Sequence, residues 1–377
     1  MNWSQLRQNY PATQKGAYLM NAAIGAPHKR VFETSLKWNK FTLETAAIDD
    51  IKFFECLEAA RKTCADFLKV EQKCIGFAPN TGTNMNILAG TLKTKTSKRK
   101  VISTTDEFPS TTLPWLHAGF EVDFVSSVDG FLGIEQFIEK IDDDTAAVVV
   151  SAVQYLTGFR LDLEALGLEL KKRNIPFIVN ATQMLGVFEV HPEKFHATAL
   201  SASCHKWLAA GIGQAILYLS PEWCQNFSPP FVGWSSVENY WDLANDRLAL
   251  REEASIMEIG TLCFERLAAL QTAIEVVLEV GLPEISQRIL DLSSEMHLQL
   301  SQLGLKIHSY RKLEKHHTGI ISFSIENHDA VEVAAALKEK SVFINNRKGR
   351  LRASISYYNN SEDIERLIVG LKEIIKG

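Results

Sequence analysis

The sequence contains no Cys-x-x-Cys pair: its six cysteines, Cys56, Cys64, Cys74, Cys204, Cys224 and Cys263, are scattered through 377 residues. That spacing argues against a disulfide framework or a zinc cluster, so buried thiols are the expected use and no metal site is expected. Long apolar runs are also missing. The best, Ala209 to Leu219, is broken by Gln214 and falls short of the roughly 20 residues a membrane helix needs. The opening residues Met1 to Arg7 lack the basic-then-apolar layout of a signal peptide, which leaves the cytoplasm as the expected location. Neither sign of charge dominates, with 40 basic and 45 acidic side chains and a net charge of −5. This argues against a nucleic-acid partner, and the one basic run, Lys93 to Lys100, reads as a solvated loop. A dinucleotide-binding Gly-x-Gly-x-x-Gly turn is absent too. Gly211-Ile212-Gly213-Gln214-Ala215-Ile216 lacks the third glycine and enters a strand, so a nicotinamide-dependent dehydrogenase is set aside, as is a Walker-type phosphate loop.

With 46% apolar and 23% charged residues, the chain has the composition of a globular protein with a large core. Its length corresponds to about two to three domains at roughly 150 residues each, or two around one active site. From about residue 75 to 220, short apolar runs alternate with amphipathic stretches, the pattern of βαβ units and a mainly parallel sheet. The expected strands are Cys74–Ala78, Lys100–Thr104, Glu121–Ser126, Ala146–Ala152, Phe177–Asn180, Ala199–Ala202 and Gln214–Leu219. Helical patterns at Asn84–Lys93 and Leu163–Arg173 lie between them, giving a doubly wound α/β layer. After Ser220, Trp223, Trp234 and Trp241 with Pro221, Pro229 and Pro230 mark an irregular excursion. A long helix, Thr261–Val280, follows and is stopped by Gly281 and Pro283. Helix Glu284–Leu303, strand Gly319–Ile325, helix Ala330–Lys340, a further strand and helix Ser361–Ile375 then form a smaller C-terminal α+β unit. The expected division is a large domain over residues 18–260 and a small one over 261–377 together with 1–17.

Two windows carry chemistry. In Ser203-Cys204-His205-Lys206-Trp207-Leu208 a lysine sits among aromatic, small and apolar neighbours; partial desolvation there disfavours the charged form and makes the amine a nucleophile. Alone, the window fits a surface lysine better. In Phe177-Ile178-Val179-Asn180-Ala181-Thr182-Gln183-Met184-Leu185-Gly186 a buried strand ends in polar groups, where open α/β sheets bind their ligands.

Together these windows resemble the class V aminotransferase group of fold type I pyridoxal-phosphate enzymes, which includes cysteine desulfurases, selenocysteine lyases, kynureninases and isopenicillin N epimerase. The group's Asp-x-x-Gln-x-x-Gly is present as Asn180-x-x-Gln183-x-x-Gly186, and its Schiff-base lysine motif follows as His205-Lys206-Trp207-Leu208. The resemblance implies a large, mainly parallel seven-stranded sheet domain plus a small α+β domain. It also implies pyridoxal 5'-phosphate as cofactor, a small amino acid as substrate, and Lys206 as the catalytic lysine. Asn80-Thr81-Gly82-Thr83 resembles the phosphate-gripping turn; backbone N–H groups and hydroxyls at a helix N-terminus suit an anion. By the same resemblance Phe108 stacks on the cofactor, Ser203 and His205 donate to its phosphate, and Gln183 bonds the 3'-oxygen. Asn21 and Arg352 contact substrate, and the Arg352 guanidinium forks onto a carboxylate. Glu258-Ile259-Gly260-Thr261 resembles the turn whose threonine reaches the phosphate of a neighbouring subunit, which implies a homodimer.

Two departures stand out. Asn180 replaces the carboxylate that keeps the pyridine nitrogen protonated, which weakens the electron sink. The expected consequence is a loss of several kcal/mol of transition-state stabilisation, about three to five decades in rate at roughly 1.4 kcal/mol per decade. And Val342 to Gly349 has no cysteine, the last being Cys263, which argues against persulfide transfer in the desulfurase manner; Gln154-Tyr155-Leu156-Thr157-Gly158 also lacks the desulfurase Ser-Asn. Two readings remain: a transaminase or lyase, or a degenerate cofactor-binding or regulatory homologue without turnover. Side-chain selectivity is expected in Pro229–Trp241 and Ser341–Arg350.

Overall fold

A computed structural model describes residues 1–376. In chain order the strands are β1 (Ala17–Tyr18), β2 (Ile75–Ala78), β3 (Lys100–Thr104), β4 (Glu121–Val125), β5 (Thr145–Ser151), β6 (Phe177–Asn180), β7 (Ala199–Ser203), β8 (Ala215–Leu219), β9 (Lys306–Ile307), β10 (Ile320–Ser324), β11 (Val342–Phe343), β12 (Asn345–Arg347) and β13 (Arg350–Ser354). The main sheet has seven strands in the order β2-β8-β7-β6-β5-β3-β4. Only β8 runs against its neighbours; the other pairs are parallel. The C-terminal ends of β2, β3, β5, β6 and β7 therefore share one edge.

β5 shows why the interior strands read as unbroken apolar runs rather than alternating ones. All its residues are buried, as they must be when helices cover both faces of a parallel sheet. Local chemistry sets the helix starts between the strands. Asn80 accepts from the Thr83 N–H at 2.9 Å, and Asp162 accepts from the Ala165 N–H at 3.2 Å, each satisfying a donor that the first turn leaves free. The helix Phe264–Val280 stops at Gly281, whose φ of 95° lies outside the helical region, and Pro283 sits in the first turn of the next helix, Leu282–Gln302.

A second, antiparallel sheet has the order β12-β13-β10-β9 and packs its apolar side chains, such as Ile321, Phe323, Leu351 and Ala353, into a second hydrophobic cluster with Leu292, Met296 and Leu367. The N-terminal segment joins it: β1 pairs parallel with β11, and Ala17 and Leu19 belong to this cluster. The helix Phe264–Val280, read from sequence with the C-terminal unit, puts Leu267, Leu270, Ile274 and Val277 into the larger cluster beneath the main sheet.

Candidate active site

Along the shared strand edge lies a cavity of about 430 Å³. Nine sequence-selected residues line it: Thr81, Gly82, Phe108, Asn180, Gln183, Ser203, His205, Lys206 and Arg352. They come from the ends of four strands of the main sheet, β2, β3, β6 and β7, and the loops that follow them, and from β13. Lys206 stands in the turn after β7, half-buried, and burial lowers its pKa to about 7, with Arg352 and Arg347 adding repulsion. At neutral pH a large share of this amine is therefore uncharged and nucleophilic. Its Nζ is 5.5 Å from the centre of the Phe108 ring, and that ring meets Tyr155 edge-on at 5.3 Å. His205 is lowered as well, first by burial and then by Lys206.

Two glycines hold this turn in place through close approach. A Cβ on Gly25 would lie 1.8 Å from the Lys206 carbonyl oxygen, and the Gly25 N–H donates to the His205 carbonyl at 2.9 Å. Gly186 has a φ of 91°, and a Cβ there would press on the backbone of Trp207 and Leu208 at 3.0–3.1 Å. The glycine of the Asn180-x-x-Gln183-x-x-Gly186 segment is thus required by a left-handed backbone packed directly against the lysine loop.

One end of the cavity is a cluster of hydroxyls at the N-terminus of the helix Thr81–Lys95. Ser203 Oγ and Thr81 Oγ1 are 2.9 Å apart, the Thr81 N–H donates to Ser203 Oγ at 3.2 Å, and Thr182 Oγ1 accepts from the Ser203 N–H at 3.0 Å. A helix N-terminus with a set of rotatable hydroxyl donors suits an anion such as a phosphate.

At the centre, two side-chain amides have fixed orientations. The Trp207 indole N–H can only donate, and it donates to Gln183 Oε1 at 2.7 Å, while Gln183 Nε2 donates to the Ala22 carbonyl at 2.9 Å. The Thr182 backbone N–H likewise donates to Asn180 Oδ1 at 3.1 Å, so Nδ2 is the group that donates to Thr111 Oγ1 at 2.9 Å. Each amide keeps one N–H to spare and has its oxygen engaged by a backbone or indole donor. Behind Asn180, the Thr111 hydroxyl acts in turn on Glu107. This buried carboxyl accepts from the Ser151 N–H (2.6 Å), Ser151 Oγ (2.5 Å) and Gln154 Nε2 (3.0 Å). Burial raises its pKa against those bonds.

Three selected residues lie elsewhere. Thr83 donates from both N–H and Oγ1 to Asn80 Oδ1, at 2.9 and 3.3 Å, and is engaged by the Asn80 helix cap rather than facing the cavity. Asn21 is buried and committed to the Ser354 carbonyl (2.8 Å) and the Tyr358 hydroxyl; its neighbours Ala22 to Ile24 line the cavity instead. Thr261 is exposed at a separate cavity of about 610 Å³, walled by Phe53, Phe54, Trp234 and Trp241. Conversely, sequence reasoning missed Thr111, Tyr155, Thr182 and Arg347 as site residues. Tyr155, Thr182 and Arg347 line the cavity, and Thr111 holds Asn180. Thr111 and Thr182 are ordinary residues next to selected ones, and only the fold turns them inward.

The donor set fits pyridoxal phosphate: an uncharged amine, an anion-binding hydroxyl end, an aromatic face at Phe108 and a buried guanidinium at Arg352. No thiol lines this cavity. Five of the six free cysteines are buried elsewhere, and the exposed one, Cys263, bonds Glu265. Among the described residues no metal-ligand cluster occurs and no helix is long and apolar enough to cross a membrane.

The chain is similar along nearly all its length to known proteins. It is 27% identical to a probable cysteine desulfurase of Pyrococcus abyssi, covering 98% of this chain and 97% of that protein. It is 23% identical to a kynureninase of Shouchella clausii, covering 99% and 91%. A solved cysteine desulfurase from Thermococcus onnurineus superposes with a TM-score of 0.91 at 26% identity, covering 99% and 98% of the two chains. The aminotransferase class-V family model matches residues 49–367, a span that holds all nine of the selected residues lining the cavity, and the chain belongs to the aminotransferase class-V family.

Proposed function

We propose that the protein is a pyridoxal-phosphate enzyme acting on a small amino acid, with Lys206 as the residue that holds the cofactor covalently. The observation that carries this reading is the lowered pKa of Lys206 at the meeting point of the hydroxyl cluster, the two locked amides and Arg352. When bound, the cofactor supplies an electron sink for bond breaking at the substrate Cα. Thr81, Gly82, Ser203 and His205 would hold its phosphate, with Thr83 supporting that turn by donating to the Asn80 cap. Phe108 would cover the ring, and Gln183, presenting an N–H, would donate to the 3'-oxygen. Lys206 then moves a proton at Cα, and Arg352 fixes the α-carboxylate. Asn21 acts from behind, holding β13 through the Ser354 carbonyl.

Asn180 shapes the chemistry. Its oxygen is engaged by the Thr182 N–H, so toward a ring nitrogen it offers a donor, which favours an unprotonated pyridine and a weaker sink. The reaction is therefore one that tolerates a neutral ring, and the absence of a thiol at the cavity argues for elimination or transamination over persulfide transfer. The same feature favours the second reading, a cofactor binder without turnover. We read the chain as a homodimer in which Thr261 approaches the partner's site; the half-exposed Trp234, Trp241 and Ile259 around it support this, and sedimentation tests it.

Borohydride reduction of the protein with added pyridoxal phosphate, followed by peptide mapping, is expected to put a pyridoxyl tag on Lys206. A tag elsewhere, or none, sinks the proposal. An amino-acid panel that changes no spectrum, in wild type and in Asn180→Asp alike, selects the binder.

A further inference from the structure

The cavity has an unbalanced charge. Lys206, Arg347 and Arg352 line it, and no aspartate or glutamate does. Arg352 is 1% exposed, yet its guanidinium meets only neutral acceptors: the Tyr155 carbonyl at 2.7 Å and Asn345 Oδ1 at 3.3 Å. Its Nε is buried with no partner. A buried guanidinium without a counter-ion is costly, so the site is arranged for an anion that arrives from outside. One α-carboxylate answers that need and no more.

Arg347 is left over. β12 pairs with β13 so that Asn345 faces Arg352 and Arg347 faces Arg350. Two residues apart on one strand, Asn345 and Arg347 lie on the same side, next to the Arg352 guanidinium. The connection Lys348-Gly349 has φ of 47° and 72°, the two positive values of a tight two-residue hairpin, which places Arg347 on a fixed strand end rather than a loose loop. Among the described residues its only side-chain bond is from Nη1 to the Asn346 carbonyl at 2.7 Å. No carboxylate among the described residues pairs with it: Asp106 and Glu107 are felt at Tyr155, and the Glu107 carboxyl is taken up by Ser151 and Gln154. The hydroxyl end of the cavity serves the cofactor phosphate without a cationic side chain, so that charge does not call on Arg347 either. Burial and Arg347 together lower the pKa of Arg352 to about 10, a mark of mutual repulsion.

We infer that the substrate is an amino acid with a second anionic group on its side chain, such as a carboxylate or sulfinate, its α-carboxylate on Arg352 and its side-chain anion on Arg347. This rests on the reading of the cavity as a cofactor-dependent amino-acid site, but its test does not use turnover. Calorimetry at low salt compares succinate with butyrate on the protein with and without pyridoxal phosphate. Succinate is expected to bind about tenfold to a hundredfold tighter, the range for one added charge-assisted contact. Arg347→Gln should abolish that preference while leaving butyrate unchanged, Arg347→Lys should keep part of it, and Arg352→Gln should weaken both ligands. Equal affinity for the two ligands in wild type, or an Arg347→Gln that weakens both alike, overturns the inference. Failure of pyridoxyl tagging at Lys206 bears on the cofactor reading alone, because the preference for succinate over butyrate can be measured without the cofactor.

Discussion

Two buried arginines in this protein have opposite surroundings. Arg61, 4% exposed, makes a two-pronged pair with Glu258, itself 4% exposed, at 2.7 and 2.8 Å, and also donates to the Ile75 carbonyl at 2.8 Å. Glu258 in turn accepts from the Phe77 N–H at 3.0 Å, which ties the irregular segment before Thr261 to the edge strand β2. Arg352, 1% exposed, has no carboxylate at all. The first charge is completed by the fold and secures it; the second is left without a carboxylate by the fold, and on the reading proposed above a ligand supplies the missing half. Burial alone does not separate structural from functional charges. The partner does.

The largest effect should come from breaking the completed pair. Arg61→Met leaves Glu258 buried and uncompensated and should cost about 3–5 kcal/mol in denaturant unfolding, whereas Arg352→Met should be neutral or stabilising and lose carboxylate binding instead. A similar loss from both would erase the distinction. Next in size, Asn180→Asp puts a second carboxyl beside Thr111, whose single hydroxyl proton then serves both the new carboxylate and Glu107. A cost of about 2 kcal/mol is expected, relieved by adding Glu107→Gln; a double variant no more stable than the single one would show that the two positions are independent.

A third effect is a slope. The folded-state pKa of Lys206 is lowered to about 7 from the ordinary amine value of 10.5, so between those limits the folded protein binds fewer protons than the unfolded chain. Stability of the cofactor-free protein should therefore rise with pH from about 7 upward, and that gain should be lost as pH falls back to 7. Lys206→Met should flatten the slope, as read by thermal unfolding across pH. The smallest effect is at Trp207→Phe, which releases Gln183 Oε1 and should cost about 1 kcal/mol, with weaker retention of pyridoxal phosphate as its second readout.

Much of this was legible in one dimension. β3 and β6 begin and end where expected, and the other main-sheet strands differ by one residue at one end or, for β5, at both; strands such as β5 and β8, buried along their whole length, have no polar alternation to blur them. The cavity's main residues were legible chiefly through the family resemblance, since a lone Phe108 or Arg352 reads as core or as a surface ion pair; the pattern of strands gave only the edge at which most of them gather. Asn21 and Thr83 were not. Both are polar residues in the right windows, and each is used up locally, Asn21 by Ser354 and Tyr358 and Thr83 by Asn80. Arg347 lay inside the Ser341–Arg350 stretch expected to carry side-chain selectivity but was not singled out, because nothing in Asn346-Arg347-Lys348 distinguishes a cavity residue from a solvated one until β12 pairs with β13.

Local sterics and periodicity are enough to account for the strands and the helix caps, which can be read along the chain, and the motifs shared with a known family point to most of the cavity residues. Which charges are matched was settled in three dimensions. Arg61 and Glu258 are 197 residues apart, and the side on which an amide presents its N–H depends on donors brought from other strands. Electrostatic compensation is a property of neighbours in space, and one chain position cannot show it.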